Sequence, residues 1–491
     1  MKQSPYSPLQ WKEIIPDIEE VLREMDATPI LSVGITPYTR ILPSFFLNNY
    51  SIYGIKRSSD VDILEQYISI HTLEDHHKAL AQRIHGTNYL LGNHAFQAFL
   101  KSRSKKPIVM LTTTDEKSIS TLEGLALQWI GNAPSTIQNV KHKGEFRDLI
   151  EKLGLPSLPS HYFNRDEFLD SVWVDIRDTV GGSFVVQRAD KEVGGNEGTF
   201  FVHDDSDFRR CIAALIPDAT FSRVLVSRFV EGHSTSMLGC VTQKGILSGP
   251  LQLQLIDVPE SLHHVAPNGI FFGNDIGFRD WDDDVEATAQ RVIEGIGEHL
   301  RAQGYKGIFG IDFLYDRNTK EIFPIECNPR FTGSLALYSL MLLEAGLPPL
   351  EFFHLLSHLN IESSFHFDTV NKALKQRIPC AHIAFSPKGI TSMEVPLLAG
   401  VYEYDASASE QLRYIGKGIS LADLKNKNQF LLMDTVLSLG SSIEQSVPRL
   451  FKFMFPYGIA KSSYEIEGRA GFLVRRFADV LLQAVEDKKA F

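Results

Sequence analysis

The chain has 491 residues, enough for about three domains at the usual one to two hundred residues each. Its 49 basic and 60 acidic side chains give a formal net charge of −11, spread along the chain, which argues against a nucleic-acid surface as the main partner. Cys211, Cys240, Cys327 and Cys380 lie far apart without C-x-x-C spacing, and no run approaches the roughly 18 apolar residues of a membrane helix, so neither a disulfide framework, a zinc site nor a membrane span is indicated.

The start, MKQSPYSPLQWKEIIPD, lacks an apolar core, and the expectation is an unprocessed protein of the reducing cytoplasm. A short acidic helix is predicted over Asp17 to Met25, then a strand over Pro29 to Val33 ending at Gly34, with a helix after Pro37. Further strands are predicted at Ser51 to Ile55, Tyr67 to Ile70, Tyr89 to Leu91 and Pro107 to Leu111, alternating with helical stretches such as Leu73 to Ile84. That alternation predicts a parallel α/β layer in residues 1–138. Residues 139–358 read as α+β: a helix, a Pro-marked turn, a strand, a Gly-rich loop, more strands, the long helix Asp282 to Gln303 and a hairpin. Residues 359–491 read as a small α+β unit, with strands at Ala381 to Phe385 and Phe430 to Leu432, a turn at Pro387 to Gly389 and a closing amphipathic helix near Phe472 to Val485.

The hairpin carries the chemistry. In GIFGIDFLYDRNTKEIFPIECNPR, Gly307 to Arg330, two runs rich in β-branched and aromatic residues flank the polar stretch Arg317 to Lys320. Side chains alternate faces along a strand, so Glu326 and Asn328 share one face, and a loop centred near Thr319 sets Asp312 opposite Glu326. Magnesium takes oxygen ligands in near-octahedral geometry and is usually held by one or two carboxylates plus substrate phosphates. Asp312, Glu326 and Asn328 fit that demand, and Arg330, behind the rigid Pro329, offers a guanidinium fork for phosphate oxygens. Phe309, Ile311, Phe313, Ile322, Phe323 and Ile325 make these strands too apolar for a surface hairpin, and buried carboxylates need a partner or a metal.

With GIDFLYD followed by ECNPR, the segment resembles the ATP-grasp superfamily, most of all the branch containing biotin carboxylase and the carbamoyl phosphate synthetase large subunit. The resemblance implies a Rossmann-like domain before the grasp, although the first unit lacks G-x-G-x-x-G and is assigned no dinucleotide. It places a phosphate-contacting lysine eleven residues before Gly154, at Lys143, with Lys141 as the substitute. It makes the loop with Gly194, Gly195 and Gly198 a phosphate-covering lid whose backbone amides approach anions. Where most relatives end the preceding strand in lysine, this chain has Gln187 then Arg188, so Arg188 or Lys191 is the candidate replacement. The connector Ser227, Arg228, Phe229, Val230 is expected to hold adenine through the Ser227 carbonyl and the Val230 amide, with Glu231 or Ser234 reaching the ribose. Gln252, Gln254, His263, His264, Asn274 and Asp275 supply a candidate substrate wall, and Cys327 is placed on the face away from the metal ligands.

The resemblance thus implies ATP with magnesium, or manganese, as cofactors. It implies a ligase joining a small carboxylate to an amine through an acyl phosphate, with Glu326 and Arg330 as catalytic residues. It admits a homodimer. Biotin-carboxylase-like chemistry is the nearest alternative, although the chain has no M-K-M carrier sequence; a regulator that binds ATP with little catalysis is the alternative from another class, motivated by Gln187.

Overall fold

The structure is a computed structural model and describes residues 4–81, 86–190, 198–261, 269–385, 393–394, 398–405, 411–434, 442–443 and 451–489. Lys191, Gly194, Gly195, His263, His264 and the turn expected at Pro387 to Gly389 lie outside the described residues.

The first unit is a parallel sheet of strands β1 (Ile30–Gly34), β2 (Tyr50–Gly54), β3 (Ser69–Thr72), β4 (Ile108–Leu111) and β5 (Trp129–Ile130), in the order β3-β2-β1-β4-β5. Alternation explains its apolar runs: Ile30, Ile52 and Met110 enter one core cluster, whereas Leu31, Val33, Val109 and Leu111 enter another on the opposite face. Three predicted elements differ. The helix expected over Leu73 to Ile84 is two short helices, Leu73–His76 and Lys78–Ala81, broken at His77, and 82–84 lie outside the described residues. The helix expected after Pro37 is a pair of 3-10 turns, Tyr38–Arg40 and Leu42–Phe45, because Pro43 lacks the N–H that a continuing helix would use. Tyr89 to Leu91 belongs to the helical turn Thr87–Leu91, with Leu90 and Leu91 buried and Tyr89 exposed, and a three-residue apolar run cannot by itself distinguish the two periods.

Helix Lys143–Lys152 then leads into an antiparallel sheet of β6 (Ser160–Asn164), β7 (Phe184–Arg188), β8 (Thr199–Val202) and β9 (Arg223–Arg228), ordered β6-β9-β7-β8. Phe184, Val186 and Val226 pack one face of it against helices Trp173–Val180 and Asp205–Leu215. Gly154, at φ +64°, ends the Lys143–Lys152 segment in the left-handed conformation that glycine takes without strain.

The remaining large sheet contains β10 (Gly232–Thr242), β11 (Gly245–Ser248), β12 (Gln252–Ile256), β13 (Phe271–Asp275), β14 (Gly307–Asp316) and β15 (Glu321–Asn328). It runs β15-β14-β10-β12-β13 and continues directly through β16 (Ala381–Ala384) into the C-terminal strands, with β11 paired to β10. Among those strands, β18 (Gly400–Asp405), β19 (Gln411–Gly416), β20 (Gln429–Met433) and β22 (Lys452–Phe455) complete the order β16-β22-β20-β18-β19, while β17 (Met393–Glu394) and β21 (Ser442–Ile443) pair separately. Residues 359–491 therefore extend the sheet that carries the hairpin. Helices Asp283–Ala302 and Leu350–Leu359 bury their apolar sides in the same core.

Candidate active site

The hairpin forms because its turn is satisfied locally. Asp316 accepts the backbone N–H groups of Asn318 (2.9 Å) and Thr319 (3.2 Å), and Lys320 takes φ +59° to close the reversal. Asp312 pairs with Glu326 and Phe313 with Pro324, so Ile325 is an extra residue and the ladder bulges beside the Asp312 and Glu326 pair. Pro324 has no N–H to give the ladder, which favours the irregularity there.

The side chains form one connected set. Asn328 Nδ2 donates to Asp312 Oδ2 (3.0 Å), and Arg330 donates to Asn328 Oδ1 (2.9 Å) and to the Phe331 carbonyl (3.1 Å). On the other side, Gln254 Nε2 donates to Asp312 Oδ1 (2.9 Å) and its carbonyl accepts from Ser234 Oγ (2.6 Å). Ser463, from the C-terminal part, closes the chain: its Oγ accepts the Ser234 N–H at 2.8 Å. Lys143 Nζ lies 3.7 Å from Glu326 Oε2. Desolvation first, then the facing Glu326 charge, pushes the Asp312 carboxyl up to about 7. Two carboxylates set against each other beside an amide form a hard oxygen-donor set of the kind that holds a divalent cation with phosphates. Among the described residues no group of three His, Cys, Asp or Glu side chains forms a metal cluster.

Glu326, Asn328 and Arg330 line a cavity of about 660 Å³ whose opposite wall is the end of the first sheet: Thr112, Thr113 and Thr114 beyond β4, and Asn88. Lys141 and Lys143 line it as well, as do Asp115 and Glu116, so charges of both signs meet where the two units face each other. Helix Lys143–Lys152 is seated by Gly144, whose N–H donates to the Ala189 carbonyl (3.1 Å) and whose missing Cβ leaves room for that strand end.

The other expected residues divide into two groups. Gln187 faces away from the Phe184 and Val186 core side of β7, and its Nε2 donates to Thr199 Oγ1 (3.2 Å). Arg188 lies on the core side, paired with Asp218 (3.1 Å) and stacked over Phe221, so its charge is already matched. Gly198 takes φ +91° at the start of β8. Ser227 is buried in the strand between Val185 and Ser160; Phe229 donates its N–H to Ser183 (2.9 Å), and Val230 packs with Leu158 and Phe323. Arg228 reaches Asp316 at 3.3 Å, tying the connector to the hairpin turn. Glu231 is exposed beside it. Ser234 belongs to the Gln254 chain rather than to the connector's outer edge. Cys327 is buried on the far face, and burial raises its thiol far above the range of a nucleophile.

Sequence reasoning assigned Gln254 to a substrate wall and missed that it holds Asp312. The signal was the Q-x-Q alternation at Gln252 and Gln254, which puts both amides on one face. Ser463 and Thr112 to Thr114 carried no local signal.

Residues 181–334 match the ATP-grasp domain family, and the chain has the ATP-grasp fold with a parallel α/β unit before it. Among individual proteins, the chain is similar to the C-terminal section of the carbamoyl phosphate synthase large chain of Methanopyrus kandleri, at 24% identity over 211 residues, which is 43% of this chain and 36% of that one. The arginine-specific large chain of Geobacillus stearothermophilus is 23% identical over 220 residues, 44% of this chain and 19% of that one. The chain thus matches about a third or less of the length of these curated relatives. In fold it is similar to biotin carboxylase from Campylobacter jejuni, crystallised with β-γ-ATP (TM-score 0.57, 11% identity, 88% of each chain), and to N5-carboxyaminoimidazole synthase from Aspergillus clavatus, crystallised with ADP and 5-aminoimidazole ribonucleotide (TM-score 0.51, 12% identity, 93% of this chain and 99% of that one). Among the described residues no helix is long and apolar enough to cross a membrane.

Proposed function

We propose that the protein is an ATP- and magnesium-dependent ligase that joins a small carboxylate to an amine, releasing ADP and phosphate. The observation that carries this reading is the hydrogen-bonded Asp312, Asn328 and Arg330 chain with Glu326 paired across the ladder from Asp312, of which Glu326, Asn328 and Arg330 line one cavity together with Lys143. When bound at the carboxylate pair, magnesium supplies charge neutralisation to the β- and γ-phosphates of ATP.

The chain's own residues would then do the following. Asp312 and Glu326 fix the position of the phosphate end, and Gln254 and Asn328 hold Asp312 in its rotamer. Lys143 shifts from Glu326 to a phosphate oxygen. Arg330, exposed at the cavity edge, offers its remaining N–H groups to the transferring phosphoryl group. A substrate carboxylate oxygen attacks the γ-phosphorus as the bond to the ADP oxygen breaks; the amine then attacks the acyl carbon, loses a proton, and phosphate leaves.

A second reading is favoured by one observation. Gln187 is engaged by Thr199 and Arg188 by Asp218, so the cation customary on this strand is not replaced by Arg188, as expected of a regulator that binds ATP with little turnover. The test is ADP and phosphate release on screening amino acids and other small acids, singly and in pairs, with Mg-ATP. Turnover that needs both a carboxylate and an amine supports the ligase. Binding of Mg-ATP without turnover on any pair favours the regulator, and turnover with bicarbonate and biotin alone favours the carboxylase.

A further inference from the structure

In the first sheet the strand order reverses between β1 and β4, and ligands of open α/β sheets lie in the crevice outside the carboxyl ends of strands at such a point. Here that crevice holds a cation that forms no ion pair among the described residues. Arg40, just beyond β1, is 9% exposed. Its guanidinium donates to neutral oxygens: the Thr36 carbonyl (2.7 Å), Thr39 Oγ1 (3.0 Å) and, just beyond β4, Thr112 Oγ1 (3.4 Å). Its Nε is sealed from solvent with no acceptor. Among the described residues no carboxylate is within ion-pair distance of it; the nearest acid acting on it, Asp434, accepts from Thr36 Oγ1 (3.4 Å) and pairs directly with Lys452 at 2.9 Å.

The position is built rather than incidental. A Cβ at Gly34 would fall on the guanidinium, so the last residue of β1 has to be glycine for Arg40 to lie where it does. A buried charge left without a partner is strongly unfavourable, and a site that keeps one has a reason to meet an anion. Thr112, which takes the long 3.4 Å bond, also lines the 660 Å³ cavity with Glu326 and Arg330. Lys452 donates to the Gly333 carbonyl (3.2 Å), three residues beyond Arg330.

We propose that Arg40 anchors an oxyanion subsite, in which the carboxylate or phosphate at the non-reacting end of a substrate enters from the cavity past Thr112, replaces that weak bond and pairs with the guanidinium. The inference rests on the ligase reading for the identity of the ligand as a substrate; the subsite itself is tested without ATP. Melting temperatures of the full chain are measured against sodium phosphate and, separately, sodium acetate, at ionic strength held constant with chloride. Wild type gains melting temperature saturably with one of them, which names the source of the oxyanion, and Arg40→Gln weakens that response by about tenfold or more. Equal responses of the two proteins to both anions, or no response of wild type to either, overturn the proposal. If Arg40→Gln does not melt cooperatively, Thr112→Asp takes its place: a built-in carboxylate removes the anion response if the proposal holds, and a retained response overturns it. Mg-ATP serves as an independent ligand. If it fails to raise the melting temperature of wild type, the ligase reading falls while the anion comparison stands.

Discussion

Glu326 and Asp312 are the residues on which the account turns, and their pairing was readable because E-x-N-P-R fixes which side chains share a face and the turn residues fix the register. Replacing Glu326 by Gln keeps the shape and removes the charge. Turnover is expected to fall by about 10²- to 10³-fold, the scale seen when one electrostatic contact is lost from an enclosed site, with the melting temperature kept; a steady-state assay beside a melting curve checks both. Gln254 was not readable in this role, because its contact with Asp312 depends on β12 pairing with β10, and no short-range pattern reports that. Since Gln254 holds Asp312, the proposed magnesium ligand, Gln254→Leu is expected to weaken magnesium by about 10- to 100-fold, as loss of an outer partner typically does. Magnesium titration at fixed ATP measures it. Gln187 shows the limit from the other side: its identity was plain in the sequence, but its engagement by Thr199 appears only once β7 and β8 are paired.

Among the elements, those with a long period or strong alternation were readable, such as the helix Asp283–Ala302 and the paired strands β14 and β15. Short ones were not: Thr87–Leu91 carries three apolar residues in a row, and its helical state is set by the packing of Leu90 and Leu91. The helix Leu350–Leu359 carries a testable titration. Glu351 is 1% exposed, accepts from Ser339 Oγ (2.5 Å), and burial pushes its carboxyl from the usual 4.5 up to about 7. The folded state therefore holds the proton more tightly than the unfolded chain, so the stability linked to it is complete below about pH 4.5 and is lost as pH rises through about 7. The full effect is roughly 3 kcal/mol. Glu351→Gln is expected to flatten that part of the profile and to be the more stable form at pH 8. Denaturant melts from pH 5 to pH 8 give the comparison; parallel profiles for the two proteins would remove Glu351 as the cause.

At the scale of the whole molecule, one core cluster holds Trp11 from the first unit, Ile311 from the hairpin strand, and Leu432 and Phe477 from the C-terminal part. Residues 359–491, expected as a C-terminal unit, are joined to the rest where β16 pairs with β13 and where Ser463 reaches Ser234. These are contacts between segments far apart in sequence, which periodicity does not encode. A chain ending at residue 358 would bare the β13 edge and the apolar residues now packed beneath β16, β20 and β22, so it is expected to aggregate or to melt without cooperativity. A soluble, cooperatively melting 1–358 fragment would contradict that. The central claim, phosphoryl transfer to a carboxylate within this site, is tested most directly by following oxygen. With the carboxylate substrate from the paired screen labelled with oxygen-18, one label per turnover is predicted to appear in the released phosphate, because the oxygen that attacks phosphorus leaves with it when the amine displaces the acyl phosphate. Phosphate carrying only solvent oxygen during amide formation would contradict the account.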